Sequence, residues 1–302
     1  MLNILLKASG YIVVIILGII LRRVGFFKES DFSTLSKLVL RVTLPAALIA
    51  GSTNREMDPR LLVIALLGFG CGIVYIAAGW LFGRNRGKEQ QAFDIVNLSG
   101  YNIGTFIVPF TQSFLGATGM MVTSIFDVGN AFIALGVSYG VAAAVKDGSS
   151  FDLKRVLKAL AASLPFWAHI SILLLNLLHI TVPAPILDCA QIIGSANPFL
   201  AMLTIGVGFQ LALDRTQIGK IARLLVIRFG IAAILALGFW FLLPFDETIR
   251  IALMLLAVCP LPSVVPVFTG EIESDVGLSC SLCSLTIVIS IASIVSLLVL
   301  LL

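Results

Sequence analysis

Long apolar runs alternate with short polar clusters along the whole 302-residue chain. A helix needs about 20 apolar residues to cross a hydrocarbon core. Read with that ruler, the sequence predicts ten spans: Leu2–Leu21, Phe32–Ala50, Leu61–Gly83, Ala92–Leu115, Met120–Val145, Val156–Leu178, Leu187–Leu211, Ala222–Leu243, Thr248–Phe268 and Val276–Leu300. The connecting stretches are at most about 15 residues, too short for an extramembrane domain. Trp80, Trp167 and Trp240 fall near span ends, where amphipathic rings anchor at an interface.

Charge in the loops gives an orientation. Arg22, Arg23, Lys28, Arg84, Arg86, Lys88, Lys146, Lys154, Arg155, Lys158, Arg215, Lys220 and Arg223 all belong to odd-numbered loops. Only Arg55, Arg60 and Arg250 belong to even ones. Cytoplasmic loops carry the excess of Lys and Arg. The expectation is therefore a multi-pass plasma (inner) membrane protein with cytoplasmic odd loops and both termini extracytoplasmic.

The halves echo each other. Arg60-Leu-Leu-Val-Ile opens the third span and Arg223-Leu-Leu-Val-Ile the eighth. Pro45 corresponds to Pro198, Pro109-Phe-Thr to Pro266-Val-Phe-Thr, and Gly119 to Gly277. Five spans per repeat is an odd number, so the second repeat is inverted, an architecture typical of secondary transporters. The predicted organisation is residues 1–145, a cytoplasmic linker at 146–155, and residues 156–302.

Two spans carry helix-breaking residues at matching positions. The fourth holds Asn97-Leu-Ser-Gly100-Tyr101-Asn102-Ile-Gly104, ending at Pro109; the ninth holds Cys259-Pro260-Leu-Pro262-Ser263, ending at Pro266. Glycine loosens a helix, and proline removes an amide and clashes one turn back. Broken backbone at membrane depth is tolerated only against protein or a water-filled cavity, and matched breaks point to a transport site. The second half of a broken helix presents unpaired amides and about half a positive charge. Two such ends meeting form a place for a carboxylate without any basic side chain. The plainer reading is a pair of proline-kinked packing helices.

Ionisable groups inside the spans are costly and selected for function. Asp127 and Asn130 share one face of the fifth span. They are either a proton or cation coupling group and polar wall, or a neutral acid that hydrogen-bonds helices together. Asp94 reads as interfacial. Arg41 and Arg228 read as side chains reaching for the cytoplasmic surface, with a gating ion pair as the alternative.

Composition excludes other classes. Apolar residues make up 59% and charged residues 12%, with a mean hydropathy of +1.08. A soluble domain cannot hide that much apolar surface. A net charge of +4 on so few charged groups is no nucleic-acid signal. Cys280 and Cys283 are spaced C-x-x-C, but two histidines and no second cysteine pair make no metal site; they read as small residues on a buried helix face. H-E-x-x-H, G-x-S-x-G and Walker sequences are missing. The expectation is no catalytic residue, no metal and no cofactor.

The segment Gly100-Tyr-Asn-Ile-Gly-Thr-Phe-Ile-Val-Pro109, followed by Phe114-Leu-Gly-Ala-Thr-Gly119, resembles the glycine- and asparagine-rich stretch of the auxin efflux carrier family. Leu261-Pro-Ser-Val-Val-Pro-Val-Phe-Thr-Gly-Glu271 is similar to that family's second signature, and Leu44-Pro-Ala-Ala-Leu-Ile to its second helix. Tyr101 stands where the family often has Asn, and Thr269-Gly270 replaces an Ala. The resemblance implies an all-α, ten-helix fold with crossing helices 4 and 9, as in bile-acid and sodium-proton transporters. It implies scaffold helices 1, 2, 6 and 7, transport helices 3–5 and 8–10, and a homodimer through the scaffold. The chain resembles prokaryotic members, which are assigned to malate, malonate or similar acids.

The function expected is secondary transport of a small organic anion, auxin-like or a mono- or dicarboxylate, by elevator-type alternating access. Proton or sodium coupling accompanies it. The alternative is a channel-like or sensory protein on the same fold. The expected substrate-binding residues are Asn97, Gly100, Tyr101, Asn102, Gly104, Pro109, Asp127, Asn130, Pro260, Pro262, Ser263 and Pro266.

Overall fold

The computed structural model describes residues 2–53, 57–148, 150–211 and 215–302. Arg55, counted above among the even-loop cations, lies outside them. Among the described residues the chain is helical throughout, with no strand. This follows from the solvent: in lipid a helix satisfies every backbone polar group within itself.

The helices are α1 (Leu2–Arg23), α2 (Asp31–Leu38), α3 (Leu44–Ser52), α4 (Val63–Gly83), α5 (Lys88–Leu98), α6 (Val108–Phe114), α7 (Gly116–Phe132), α8 (Ser138–Asp147), α9 (Leu153–Ala162), α10 (Leu164–Leu177), α11 (Ala184–Ser195), α12 (Asn197–Gly208), α13 (Ile218–Leu242), α14 (Glu247–Ala257), α15 (Val265–Glu271) and α16 (Val276–Leu301). Seven continuous stretches are long and apolar enough to cross a membrane, and the bent pair α9–α10 makes eight. The segments Lys88–Phe114 and Glu247–Glu271 are not continuous helices: each is interrupted, at residues 99–102 and 258–264.

Local chemistry sets the breaks and bends. Pro45, Pro109, Pro165, Pro198 and Pro266 all fall in the first turn of a helix, where the missing amide costs nothing. Before Pro45 and Pro109 the chain widens into π-helical turns, Val39–Thr43 and Ile103–Ile107, which make room for the ring one turn back. The α9–α10 bend of 75° falls at Ser163, whose hydroxyl caps α10 by accepting from the Phe166 amide at 3.3 Å. Asp152 and Asp275 cap α9 and α16 in the same way.

Two groups of helices pack closely within themselves and meet where α7 lies against α3 and α10. In one, α1 lies along α12, and α3 lies against α10 and α11. In the other, α4 lies between α5 and α7, α13 lies on α14, α15 on α16, and α14 reaches α7. Helix α13 shows how depth is divided around one axis. Ile221, Leu224, Arg228, Ala232, Ala236 and Phe239 face the protein, while Val226, Ile234 and Phe241 are exposed on the lipid side.

Candidate functional site

The two interruptions meet. The amide of Asn102 donates to the carbonyl of Pro260 at 2.9 Å, and the Cys259 thiol donates to the carbonyl of Asn102 at 3.0 Å. Gly100 holds φ at +79°, a conformation that disfavours any side chain, and a Cβ there would stand 2.9 Å from the Pro262 ring. The crossing is thus built from backbone.

Arg228 holds the crossing together, and this overturns its surface assignment. It is 2% exposed. Its guanidinium donates to the carbonyls of Leu98, Gly100 (2.9 Å) and Cys259 (2.8 Å). It also lies over the rings of Tyr75 and Tyr101, 5.0 and 5.6 Å from their centroids. These carbonyls close α5 and α14, where helix ends leave acceptors unpaired and carry partial negative charge. One planar cation with several donors neutralises both. The difference from a surface position is one of depth. Helix α13 starts at Ile218, so Arg228 sits ten residues, about 15 Å, into it.

Asp94, near the odd-loop end of its span, is buried against protein. Its carboxylate is fully buried, 2.7 Å from Arg223 of α13 and 2.8 Å from the Gln90 amide.

Asn130 ties α7 to the first break. Its side-chain amide accepts from the Tyr101 amide at 3.0 Å and donates to the Tyr101 carbonyl at 3.1 Å, replacing partners the missing helical turn would have supplied. It also donates to Asp127 at 2.8 Å. The other oxygen of Asp127 lies 3.0 Å from Nε2 of His169 on α10. Nothing in the sequence pattern around His169 signals this contact, because its place beside Asp127 depends on how α10 leaves the bend.

Two cavities flank the crossing. The larger, about 670 Å³, is lined by Tyr101, Asn102, Gly104, Asp127, Asn130, Pro262 and Ser263, with Lys37 and Arg41 on its opposite wall. The smaller, about 320 Å³, is lined by Asn102, Thr105, Ser263, Pro266, Cys280 and Cys283, with Arg22, Glu29 and Gln210 at its edge. Asn102 and Ser263 border both. Edge residues of both cavities neighbour the odd-numbered loops, as Glu29, Phe32 and Gln210 do. Thr105 donates to the Asn102 side-chain carbonyl, so the donor end of that side chain is not engaged in this bond.

The remaining expected residues stand elsewhere. Asn97 is buried in a closed network: it donates to Thr269 at 3.0 Å and accepts from Ser279 at 2.6 Å, joining α5, α15 and α16. Pro109 is buried on α6, and its carbonyl accepts from Tyr11 of α1 at 3.0 Å. Pro260 contributes its carbonyl to the crossing, and Gly100 its conformation. Gly104 leaves room for Leu44: a Cβ there would stand 2.6 Å from the leucine's Cδ2. All five cysteines are free; Cys280 and Cys283 face the smaller cavity instead of a buried helix face.

Comparison with known proteins points to membrane transport. Residues 10–146 match the family described as membrane transport protein. A protein of Methanothermobacter thermautotrophicus described as an uncharacterized transporter is 23% identical over 288 residues, covering 93% of each chain. The match extends through both interrupted helices. Both comparisons point to a membrane transporter and not an enzyme, in keeping with the resemblance to the auxin efflux carrier family.

Proposed function

We propose that the protein is a secondary transporter of a small organic anion, with a carboxylate held where the interrupted helices cross. The observation that carries this reading is the position of Asn102 and Ser263, which border two cavities at the meeting point of the two breaks. The opening turns after the breaks offer amides without helical partners, Asn102 adds a directed amide, and Lys37 and Arg41 set a positive potential on the facing wall.

The architecture in this reading is ten spans in two inverted five-helix repeats. The breaks at 99–102 and 258–264 fall at corresponding places in the halves. The close packing of α1 on α12 and of α3 on α10 and α11, and separately of α4 on α5 and α7 and of α13 on α14, supports a scaffold of spans 1, 2, 6 and 7 and a moving unit of spans 3–5 and 8–10, with α7 against α3 and α10 at their junction. The unit would carry the crossing past the scaffold in an elevator motion, coupled to protons or sodium. The loop charges favour an inner-membrane orientation with both termini outside, and the apolar scaffold face offers a dimer surface.

Thermal unfolding of the purified protein against a panel of mono- and dicarboxylates tests the substrate class, since a ligand of the native state raises the melting temperature. Calorimetry then compares variants with any acid that scores. Asn102→Ala removes one desolvated hydrogen bond worth about 1–2 kcal/mol, about a 5- to 30-fold loss of affinity. If Asn102→Ala binds normally while Arg41→Ala binds nothing, a basic side chain holds the anion and the crossing does not. Saturable flux with trans-stimulation marks a carrier; flux without saturation marks a channel.

A further inference from the structure

We infer that Asp127 and His169 form a proton-binding latch between the moving unit and the scaffold, and that proton occupancy favours the conformation with cavities open beside the odd loops. The inference rests on the transporter reading for the division into two units, and adds to it a named proton site.

The geometry is specific. Asp127 belongs to α7 and His169 to α10, so their 3.0 Å contact crosses between the two groups of helices. Asp127 lines the larger cavity with its side chain 14% exposed, whereas His169 is 1% exposed behind it. The cavity therefore delivers protons to the carboxylate, and the imidazole is reached through it. Neither ring nitrogen of His169 makes an aligned hydrogen bond, so the carboxylate is the polar group beside an otherwise unpartnered buried ring. Buried polar groups without partners are rare and call for a reason. On its other side Asp127 accepts from Asn130, which holds both backbone groups of Tyr101 in the first break. A chain of contacts thus runs from scaffold helix to crossing.

The surroundings place few competing charges there. Across the cavity stand Lys37 and Arg41, both exposed. The breaks contribute Tyr101 and Cys259, both buried, and α4 contributes Cys71 and Tyr75, also buried. Helix α9 carries Lys154, Lys158 and Arg155, the last paired with Glu271. Helices α3 and α6 bear no titratable group. Arg60, before α4, and Glu247 and Arg250, on α14, lie near the opposite ends of their segments from the break.

The step is proton exchange with cavity water. Hydronium gives one proton to the neutral-imidazole pair, leaving water and a carboxylate–imidazolium pair; release reverses it. Opposite charges attract across the 3.0 Å carboxylate–imidazolium contact, and that attraction is lost when the two groups are pulled apart. Linkage then requires that protonation favour the joined, odd-side-open conformation, and that deprotonation release α7 to move.

The test uses Ser263→Cys, at the crossing, in a background without native cysteines. Labelling by an impermeant maleimide is measured in inside-out membrane vesicles and divided by the rate of Ser150→Cys, whose labelling reports both sidedness and the reagent's own pH response. Between about pH 8 and about pH 5, where histidine changes charge, the normalised rate should rise about fivefold or more. Asp127→Asn and His169→Gln should each abolish the rise, and the double variant should match the single ones. In parallel, infrared difference spectra should contain an Asp127 band that changes with pH, is absent in Asp127→Asn and is displaced in His169→Gln. A rise that persists in either single variant overturns the latch while leaving the moving-unit reading intact. A titrating Asp127 band displaced by His169→Gln, with no change in Ser263→Cys labelling, overturns the linkage and counts against the movement itself. An Asp127 band indifferent to His169→Gln overturns the proton site even if a variant's labelling is lost through misfolding.

Discussion

Replacing Arg228 tests most directly how the crossing is held. Its guanidinium serves the Leu98, Gly100 and Cys259 carbonyls, all at helix ends inside the protein. A hydrogen bond from a charged donor contributes about 1.5–3 kcal/mol, but the three share one group and do not add. Removing the cation also removes its own desolvation cost. Its removal leaves three buried carbonyls without that donor, each costing about 1–3 kcal/mol and not adding fully, so about 3–5 kcal/mol in all, a large part of the roughly 5–15 kcal/mol that a domain has in total. Arg228→Met keeps apolar volume and loses every donor, so it should cost about that much. Arg228→Lys keeps the charge but not the planar fork and should cost about half. Thermal unfolding followed by a thiol-reactive dye is a suitable assay, because Cys71 and Cys259 are buried free thiols that react once the core opens. A surface arginine would cost within about 0.5 kcal/mol. An Arg228→Met protein that unfolds at the wild-type temperature would refute the keystone role.

Other predictions separate packing from binding. Asn97→Ala breaks the network with Thr269 and Ser279 and should cost about 1–3 kcal/mol with carboxylate affinity unchanged by calorimetry; a weakened affinity in a stable variant would return Asn97 to the site. Gly104→Val should clash with Leu44 and slow transport in reconstituted vesicles, and Leu44→Ala should relieve it; no relief would place the obstruction elsewhere. Cysteines introduced at Ser150 and Thr181, both exposed, should label from opposite sides of the membrane; labelling from one side would break the inverted topology.

What the sequence disclosed depends on what kind of partner each residue has. Glycine and proline at 100–109 and 260–266 announce broken helices because they act on their own backbone. The polar pair Asp127 and Asn130 is legible for the same reason, being three residues apart on one helix. Arg228 gave no sign of its role, because its partners are main-chain carbonyls that every residue carries. Only its ten-residue depth in α13 signalled it. His169 was hidden differently. A lone histidine among apolar neighbours acquires meaning only when the Ser163 bend brings α10 against α7. Asn97 was legible as polar and buried, but its spacing could not show that Thr269 and Ser279, some 170 and more residues away in the chain, satisfy it completely.

The in-span carboxylates then divide by access to water. Asp94 has no exposed surface and pairs with the partly exposed Arg223, and neither residue lines the two cavities at the crossing. Asp94→Asn leaves a partly buried guanidinium facing a neutral amide, so the cost should fall on folding, about 3–5 kcal/mol. Asp127 borders a cavity and has a partner on the other helix group, so its loss should fall on movement. Asp127→Asn retains a carbonyl that accepts from Asn130 and should cost only about 1 kcal/mol. Unfolding temperature and gradient-driven uptake, measured on both variants, distinguish the roles. Asp94→Asn should lower the melting temperature while the folded fraction still responds to a pH gradient. Asp127→Asn should melt near wild type and lose the pH-gradient drive while retaining substrate exchange. If the two variants exchange these phenotypes, solvent access is not what separates a structural charge from a coupling one in this membrane core.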